Sequence, residues 1–229
     1  KIDRKQIKKR QFKLALFDLD GTLIDSAPDL AAAVDHSLTA MGLPTAGIDK
    51  VRSWVGNGAP VLINRALAYA QQCQPEEIAA QTSKQAYRYF LNYYRANLVV
   101  DTRLYQGVKP LLQHWAQAPA LGMGIVTNKP GEFTAPICKQ LDIDRFFDLM
   151  YSGDTFPVRK PNPLPLQKAC ETMGTTVEQT IMIGDSSNDL IAARQAGMTA
   201  VCVTYGYNHG GNIADLEPDV LVDSFQELM

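Results

Sequence analysis

KLALFDLDGTLIDS, residues Lys13 to Ser26, sets a short apolar run directly against two acids. Leu14, Ala15, Leu16 and Phe17 suit a buried parallel strand, and Gly21 lets the chain turn just after Asp18 and Asp20. Ligands of open α/β sheets bind outside the carboxyl ends of the strands, so both acids are expected in a crevice. Like charges held together there fit a divalent cation. Magnesium takes hard oxygen ligands, commonly one or two carboxylates completed by water and phosphate. The pair also suits phosphoryl transfer. An aspartate with an ordinary pKa of about 3.9 is ionised at neutral pH and can attack phosphorus once a metal offsets the repulsion between anions. A carboxyl two positions on can protonate the leaving alkoxide and later deprotonate the hydrolytic water. An acidic surface turn is the competing reading. A calcium loop is excluded, because Gly21 falls at its fourth position instead of its sixth and a strand precedes the acids instead of a helix.

Outward from this stretch the pattern changes character. Between Ala27 and Leu104 the apolar spacing is helical and no strand is expected. Ser26 is placed as the cap of a first helix carrying Leu30, Ala33, Val34, Leu38 and Met41, which Gly42 ends. A second helix carries Val51 and Trp54, a third runs from Ala59 to Ala70, and a long fourth from Pro75 to about Asn97. From Gly107 strands and helices alternate, with strands at Met123–Thr127, Leu149–Ser152, Ile181–Gly184 and Ala200–Thr204. Helices are expected at Val108–Gln117, Phe133–Leu141, Pro163–Met173 and Asn188–Ala196. Such alternation implies an α/β fold with a parallel sheet covered on both faces. The expected organisation is a flexible basic leader over 1–11, a catalytic core of 12–26 and 105–229, and an inserted helical domain of 27–104. Hinges are expected near Asp25 and Ser26 and near Tyr105 to Gly107.

Three further polar clusters end strands or follow them. Thr127 and Asn128, in VTNKP, offer a hydroxyl and amides to phosphate oxygens, or simply a capping turn. Lys160, in RKPNPLP, can act as a point charge toward phosphate, or be a solvated loop lysine. IMIGDSSND is more specific: Asp185 follows a buried strand and can complete a magnesium site with Asp18. Asp189, in the first turn of the next helix, can accept from Lys160 or from a metal-bound water, or complement the helix dipole. In the helical domain, Gly56, Asn57 and Gly58 allow close backbone approach to a small ligand, and Arg65 can meet a carboxylate. The alternative is that the two glycines bound adjacent helices and Arg65 is solvated.

Composition narrows the classes. The 229 residues are 46% hydrophobic and 20% charged with a net charge of -2, which leaves no footprint for nucleic acid or an acidic membrane. Cys73, Cys138, Cys170 and Cys202 are dispersed without a C-x-x-C pair and read as reduced thiols. No apolar run reaches the ~18 residues of a membrane span and no secretory signal is evident, so a soluble cytoplasmic protein is expected. No strand-to-helix turn carries G-x-G-x-x-G, which disfavours a dinucleotide.

Taken in order, DLDGT, the strand-end Thr127, Lys160 before proline and GDSSND resemble the motifs of the haloacid dehalogenase superfamily over nearly the whole chain. FDLDGTLIDSAPDLAAAV, WVGNGAPVLINRAL, VTNKP and TYGYN are similar to members that hydrolyse small phosphomonoesters, from which Gln106 and the basic leader depart. The resemblance implies a Rossmann-like core with a helical cap and an aspartyl-phosphate mechanism. It implies Asp18 as nucleophile, Asp20 as acid/base, Thr127 and Lys160 as phosphate ligands, and Asp189 as support, beside the phosphate-binding Asn128 read above from VTNKP. Mg2+ would be held by Asp18, Asp185 and the Asp20 backbone carbonyl. Apart from the resemblance, Asn57, Gly58 and Arg65 of the helical domain are the residues expected to set selectivity. The expected partner is a small phosphoester, without nucleic acid or membrane, and the enzyme a monomer or homodimer. A dehalogenase is disfavoured because Asp20 is present to serve a leaving oxygen. A sugar-phosphate mutase, a phospho-accepting signalling module and a non-catalytic sugar-phosphate binder remain as rivals.

Overall fold

Secondary structure follows the apolar pattern from the first strand on. In the computed structural model, which describes residues 12–118 and 120–229, the chain opens with β1 (Leu14–Phe17) and β2 (Ile24–Asp25). The leader expected over 1–11 lies outside the described residues. Four helices follow, α1 (Ala27–Ala40), α2 (Ile48–Trp54), α3 (Ala59–Gln71) and α4 (Ala80–Ala96), then β3 (Arg103–Leu104) and α5 (Val108–Trp115). The alternating part comprises β4 (Gly122–Val126), α6 (Gly131–Gln140), β5 (Leu149–Tyr151), α7 (Leu164–Met173), β6 (Thr180–Gly184), α8 (Ser187–Ala196), β7 (Thr199–Val203) and β8 (Val220–Val222).

Six strands form one parallel sheet in the order β5-β4-β1-β6-β7-β8, so β1 is central. Phe17 is in register with Ile125 on one side and Ile183 on the other, which aligns the carboxyl ends of β4, β1 and β6. Side chains of β1 alternate between two packed faces. Phe17 meets Trp115, Phe147 and Phe225 at ring-centroid distances of 5.9, 5.9 and 6.3 Å. Leu14 and Leu16 belong to the opposite core, with Leu166 of α7 and Leu190 of α8. Burial on both faces is why the strand reads as a continuous apolar run instead of an alternating one.

Four expectations are corrected. The helix foreseen from Pro75 to Asn97 is two pieces, a 3₁₀ turn at Pro75–Glu77 and α4, separated by extended Ile78 and Ala79. The Gln74 amide donates to Glu77 Oε2 at 2.6 Å and closes that turn on itself. Strands do occur at the edges of the helical segment: β2 and β3 pair antiparallel, Ile24 with Leu104 and Asp25 with Arg103. Two residues are too few to show a period. The edge strand β8 is not among the strands expected above. Ser26 precedes α1 but makes no side-chain cap: its backbone is helical (φ -100°, ψ -3°) instead of extended, and the Ala27 amide donates to the Tyr207 phenol oxygen.

Candidate active site

Asp18, Thr127 and Asp185 each come directly after a strand, at the aligned ends of β1, β4 and β6. Lys160 reaches the same place from the loop between β5 and α7, and Asp189 from the first turn of α8. The Lys160 ammonium, fully withdrawn from solvent, lies 3.0 Å from Asp18 Oδ1 and 2.6 Å from Asp189 Oδ1. The other Asp189 oxygen accepts from the Ser186 amide at 3.1 Å and hydroxyl at 2.8 Å, a capping box that starts α8. Asp189 therefore serves both the helix end and the lysine.

Asp185 accepts from the Thr22 hydroxyl at 2.9 Å and the Tyr207 amide at 2.7 Å, and among the described residues it forms no ion pair. Backbone closes over it. A Cβ on Gly206 would stand 2.0 Å from Asp185 Cβ, and one on Gly21, where φ is +89°, would stand 2.4 Å from Asp185 Oδ2. Ligand oxygens of Asp18, Asp185 and Asp189 lie within 4.8 Å of one another. Of these three carboxylates, Asp18 and Asp189 share one ammonium and Asp185 has none among the described residues. Burial raises the Asp18 carboxyl to about 6, with Asp189 adding to and Lys160 opposing the shift. Burial, then Asp189 and Asp18, raise Asp185 to about 8. This donor set of hard, under-compensated oxygens fits a divalent cation, which would reverse both shifts. Within the triad Asp18 and Asp189 each face the Lys160 charge, whereas Asp185 meets only neutral donors such as Thr22 and Tyr207, so its charge is the one least compensated by protein.

Asp20 is held apart from that triad. Its oxygens lie 3.1 and 3.3 Å from Lys129 Nζ, and its Oδ1 also accepts from Ser26. Lys129 donates in addition to the Tyr94 hydroxyl of α4 at 2.8 Å. Burial opposes the Lys129 charge, but Asp20 and Tyr94 outweigh it and hold the ammonium pKa above its ordinary value. Asp18, Asp20 and Lys129 border a cleft of about 470 Å³ of empty volume, part of it open to solvent. Leu30, Leu62, Phe90 and Phe133 give it apolar lining.

Thr127, Asn128, Gly56 and Gly58 also line this cleft. The Asn128 amide donates to the carbonyls of Gly56 and Lys160, both at 2.9 Å, so it fastens the α2–α3 loop to the Lys160 loop. Gly58, at φ +88°, stands at the start of α3. Asn57 is not among the lining residues, and Arg65 is not brought to the cleft: its guanidinium donates to the Trp54 carbonyl at 2.8 Å. Its spacing on α3 turns it toward α2. Lys129 and Tyr207 were not singled out from the sequence, although both lie in the quoted motifs VTNKP and TYGYN.

A family model described as haloacid dehalogenase-like hydrolase matches residues 15–203. A phosphoglycolate phosphatase of Nitrosococcus oceani is 43% identical over 219 residues, covering 96% of this chain and 96% of that protein. One of Pseudomonas fluorescens is 42% identical over 218 residues, covering 95% of this chain and 78% of that protein. The crystal structure of a predicted phosphoglycolate phosphatase from Haemophilus somnus superposes with a TM-score of 0.89 at 39% identity, covering 95% of this chain and 96% of the other.

Proposed function

We propose, for a chain that belongs to the haloacid dehalogenase-like hydrolases and is a phosphoric monoester hydrolase, that the substrate is 2-phosphoglycolate, cleaved to glycolate and phosphate. Membership of a hydrolase family removes the signalling-module and passive-binder readings. The observation that carries the mechanism is the imbalance of three buried carboxylates against Lys160, at the end of the strand that presents Asp18.

In this reading Asp18 attacks phosphorus in line, the leaving oxygen departs, and an aspartyl phosphate forms on Asp18. Asp20 gives its proton to the glycolate oxygen, then takes one from the water that cleaves the acyl phosphate. Thr127 and Lys160 bind phosphoryl oxygens, and Asn128 holds the two loops that frame them. Asp189 fixes Lys160. Mg2+, held by Asp18, Asp185 and the Asp20 carbonyl, would supply charge neutralisation and orientation of the phosphoryl group. The segment 27–104 acts as a cap that excludes water during transfer and admits one for hydrolysis. No helix of the described residues is long and apolar enough to cross a membrane. We place the enzyme in the cytoplasm as a monomer or homodimer, acting without nucleic acid.

Steady-state phosphate release over a panel of small phosphoesters, with and without chelator, tests this. 2-Phosphoglycolate should give the highest kcat/KM, magnesium should restore chelated activity, and Asp18→Asn should abolish release while ester binding persists. Preference for a sugar phosphate, with isomerisation instead of release, would replace the reading by a mutase.

A further inference from the structure

The cleft has one cation beside Asp20, the acid/base of the proposed reaction, and the phosphate-binding set does not use it. Lys129 is the sole cationic residue among those lining the cleft. It sits two residues beyond Thr127, and its backbone amide donates to the Thr127 hydroxyl oxygen at 3.2 Å, so its main chain is fixed to the phosphate end of the site. Leu30, Leu62, Phe90 and Phe133 share the lining and offer nothing to an anion, Phe90 and Phe133 packing on Tyr94 at ring-centroid distances of 5.4 and 5.0 Å. Two acids, Asp18 and Asp20, face the same space. A substrate with a second negative charge close to its phosphate would be repelled unless a cation met it, and an apolar wall makes that pairing strong.

Resting on the phosphoglycolate reading, we propose that Lys129 is the carboxylate receptor of the site and sets selectivity for phosphoesters whose short leaving group carries a carboxylate. The connections of the ammonium suit this exchange. A lysine ammonium has three N–H donors. Tyr94 takes one, and the two Asp20 oxygens share the remainder at 3.1 and 3.3 Å. An incoming carboxylate replaces Asp20 on Lys129 in kind, one carboxylate for another, while Tyr94 keeps its hold. Asp20 is not orphaned by the exchange, because Ser26 still donates to it. The substrate anion itself thereby detaches Asp20 from Lys129 and leaves it free to turn toward the ester oxygen. Arg65, the other candidate for this role, is spent on the Trp54 carbonyl.

The test uses binding without turnover. In full-length Asp18→Asn protein with magnesium, calorimetry compares 2-phosphoglycolate with 2-hydroxyethyl phosphate, which has the same length and no carboxylate. Lys129→Met should weaken phosphoglycolate at least tenfold more than the hydroxyethyl ester, and Lys129→Arg should recover part of the preference. In the otherwise native enzyme the same variants should move the kcat/KM ratio of the two esters in the same order. Equal losses on both ligands, or an undiminished preference in Lys129→Met, would overturn the assignment while leaving the phosphatase reading intact. Absence of any preference in the parent protein would overturn both the assignment and the choice of substrate. Should Lys129→Met not fold, Lys129→Arg and Tyr94→Phe decide: each must shift the ratio threefold or more, and a ratio unmoved by both rejects the role.

Discussion

Lys160 Nζ donates to Asp189 Oδ1 at 2.6 Å with both side chains buried, and the same ammonium reaches Asp18 at 3.0 Å. Removing one partner of a buried ion pair costs far more than an exposed pair contributes, about 3–5 kcal/mol, because a charge is left uncompensated. Lys160→Met should therefore lower unfolding stability by roughly that amount in urea titrations with magnesium present. Adding Asp189→Asn should return part of the loss by removing one of the stranded charges. A single variant as stable as the parent would show that the triad is balanced by something other than Lys160.

Asp185 is also guarded by shape. Gly206 has no left-handed φ, so alanine there is not a backbone problem; its Cβ would simply stand 2.0 Å from Asp185 Cβ. Gly206→Ala should displace the carboxylate and raise the half-saturating magnesium concentration by about tenfold or more, a change of roughly 1.4 kcal/mol. Gly42→Ala is the control. At Gly42 φ is +72° and no atom lies within 4 Å of a built Cβ. That substitution should cost about 1 kcal/mol of stability through backbone strain and leave the metal response as it was.

Titration of the same acids links stability to metal. Burial raises Asp18 to about 6 and Asp185 to about 8 from an ordinary 3.8. Without metal, the folded protein then binds more protons than the unfolded chain between about pH 4 and about pH 8, so its stability falls as pH rises through that window. Magnesium favours the ionised carboxylates and should oppose the fall. Melting temperatures with chelator should drop from about pH 5 to about pH 8, and millimolar magnesium should raise them more at the higher pH. An equal magnesium gain at both pH values would mean that these two acids are not the ones it meets.

How much of this was legible depends on whether the signal was local. Asp18 and Asp185 could be read because each ends an apolar run long enough to be a buried strand, and strand ends in parallel sheets are where sites form. Lys129 could not. Lys160, also before proline, stood out through the order of the family motifs, which give Lys129 no role, and the partners of Lys129, Asp20 and Tyr94, lie 109 and 35 residues away. Ser26 shows the opposite error: its type and position suit a helix cap, but the cap needs an extended backbone and Ser26 is already helical, a conformation its residue type does not reveal. Arg65 was misplaced because spacing along α3 gives a face and not the neighbour that occupies it.

The junction between core and helical segment rests on Tyr207. Its phenol oxygen accepts from the amides of Ser26 at 2.9 Å and Ala27 at 3.0 Å and donates to Asp25 Oδ1 at 2.7 Å. Asp25 in turn takes both guanidinium nitrogens of Arg52, on α2, at 3.1 Å, and that guanidinium lies 5.3 Å from the Tyr207 ring centroid. A single side chain of the core thus meets the hinge strand, the start of α1 and the charge pair that anchors α2, while its backbone amide holds Asp185. Tyr207→Phe deletes the phenol and leaves two buried N–H groups short of an acceptor. Ala27 can fall back on Asp25 Oδ1 at 3.3 Å, whereas the Ser26 amide has no second acceptor among the described residues. A loss of about 1–3 kcal/mol is expected from one stranded donor. The backbone bond to Asp185 survives the substitution, so the half-saturating magnesium concentration should hold while amide exchange at residues 24–27 quickens. The reverse pattern, a shifted magnesium response with unchanged exchange at residues 24–27, would place the influence of Tyr207 on the Asp185 carboxylate instead of on the junction.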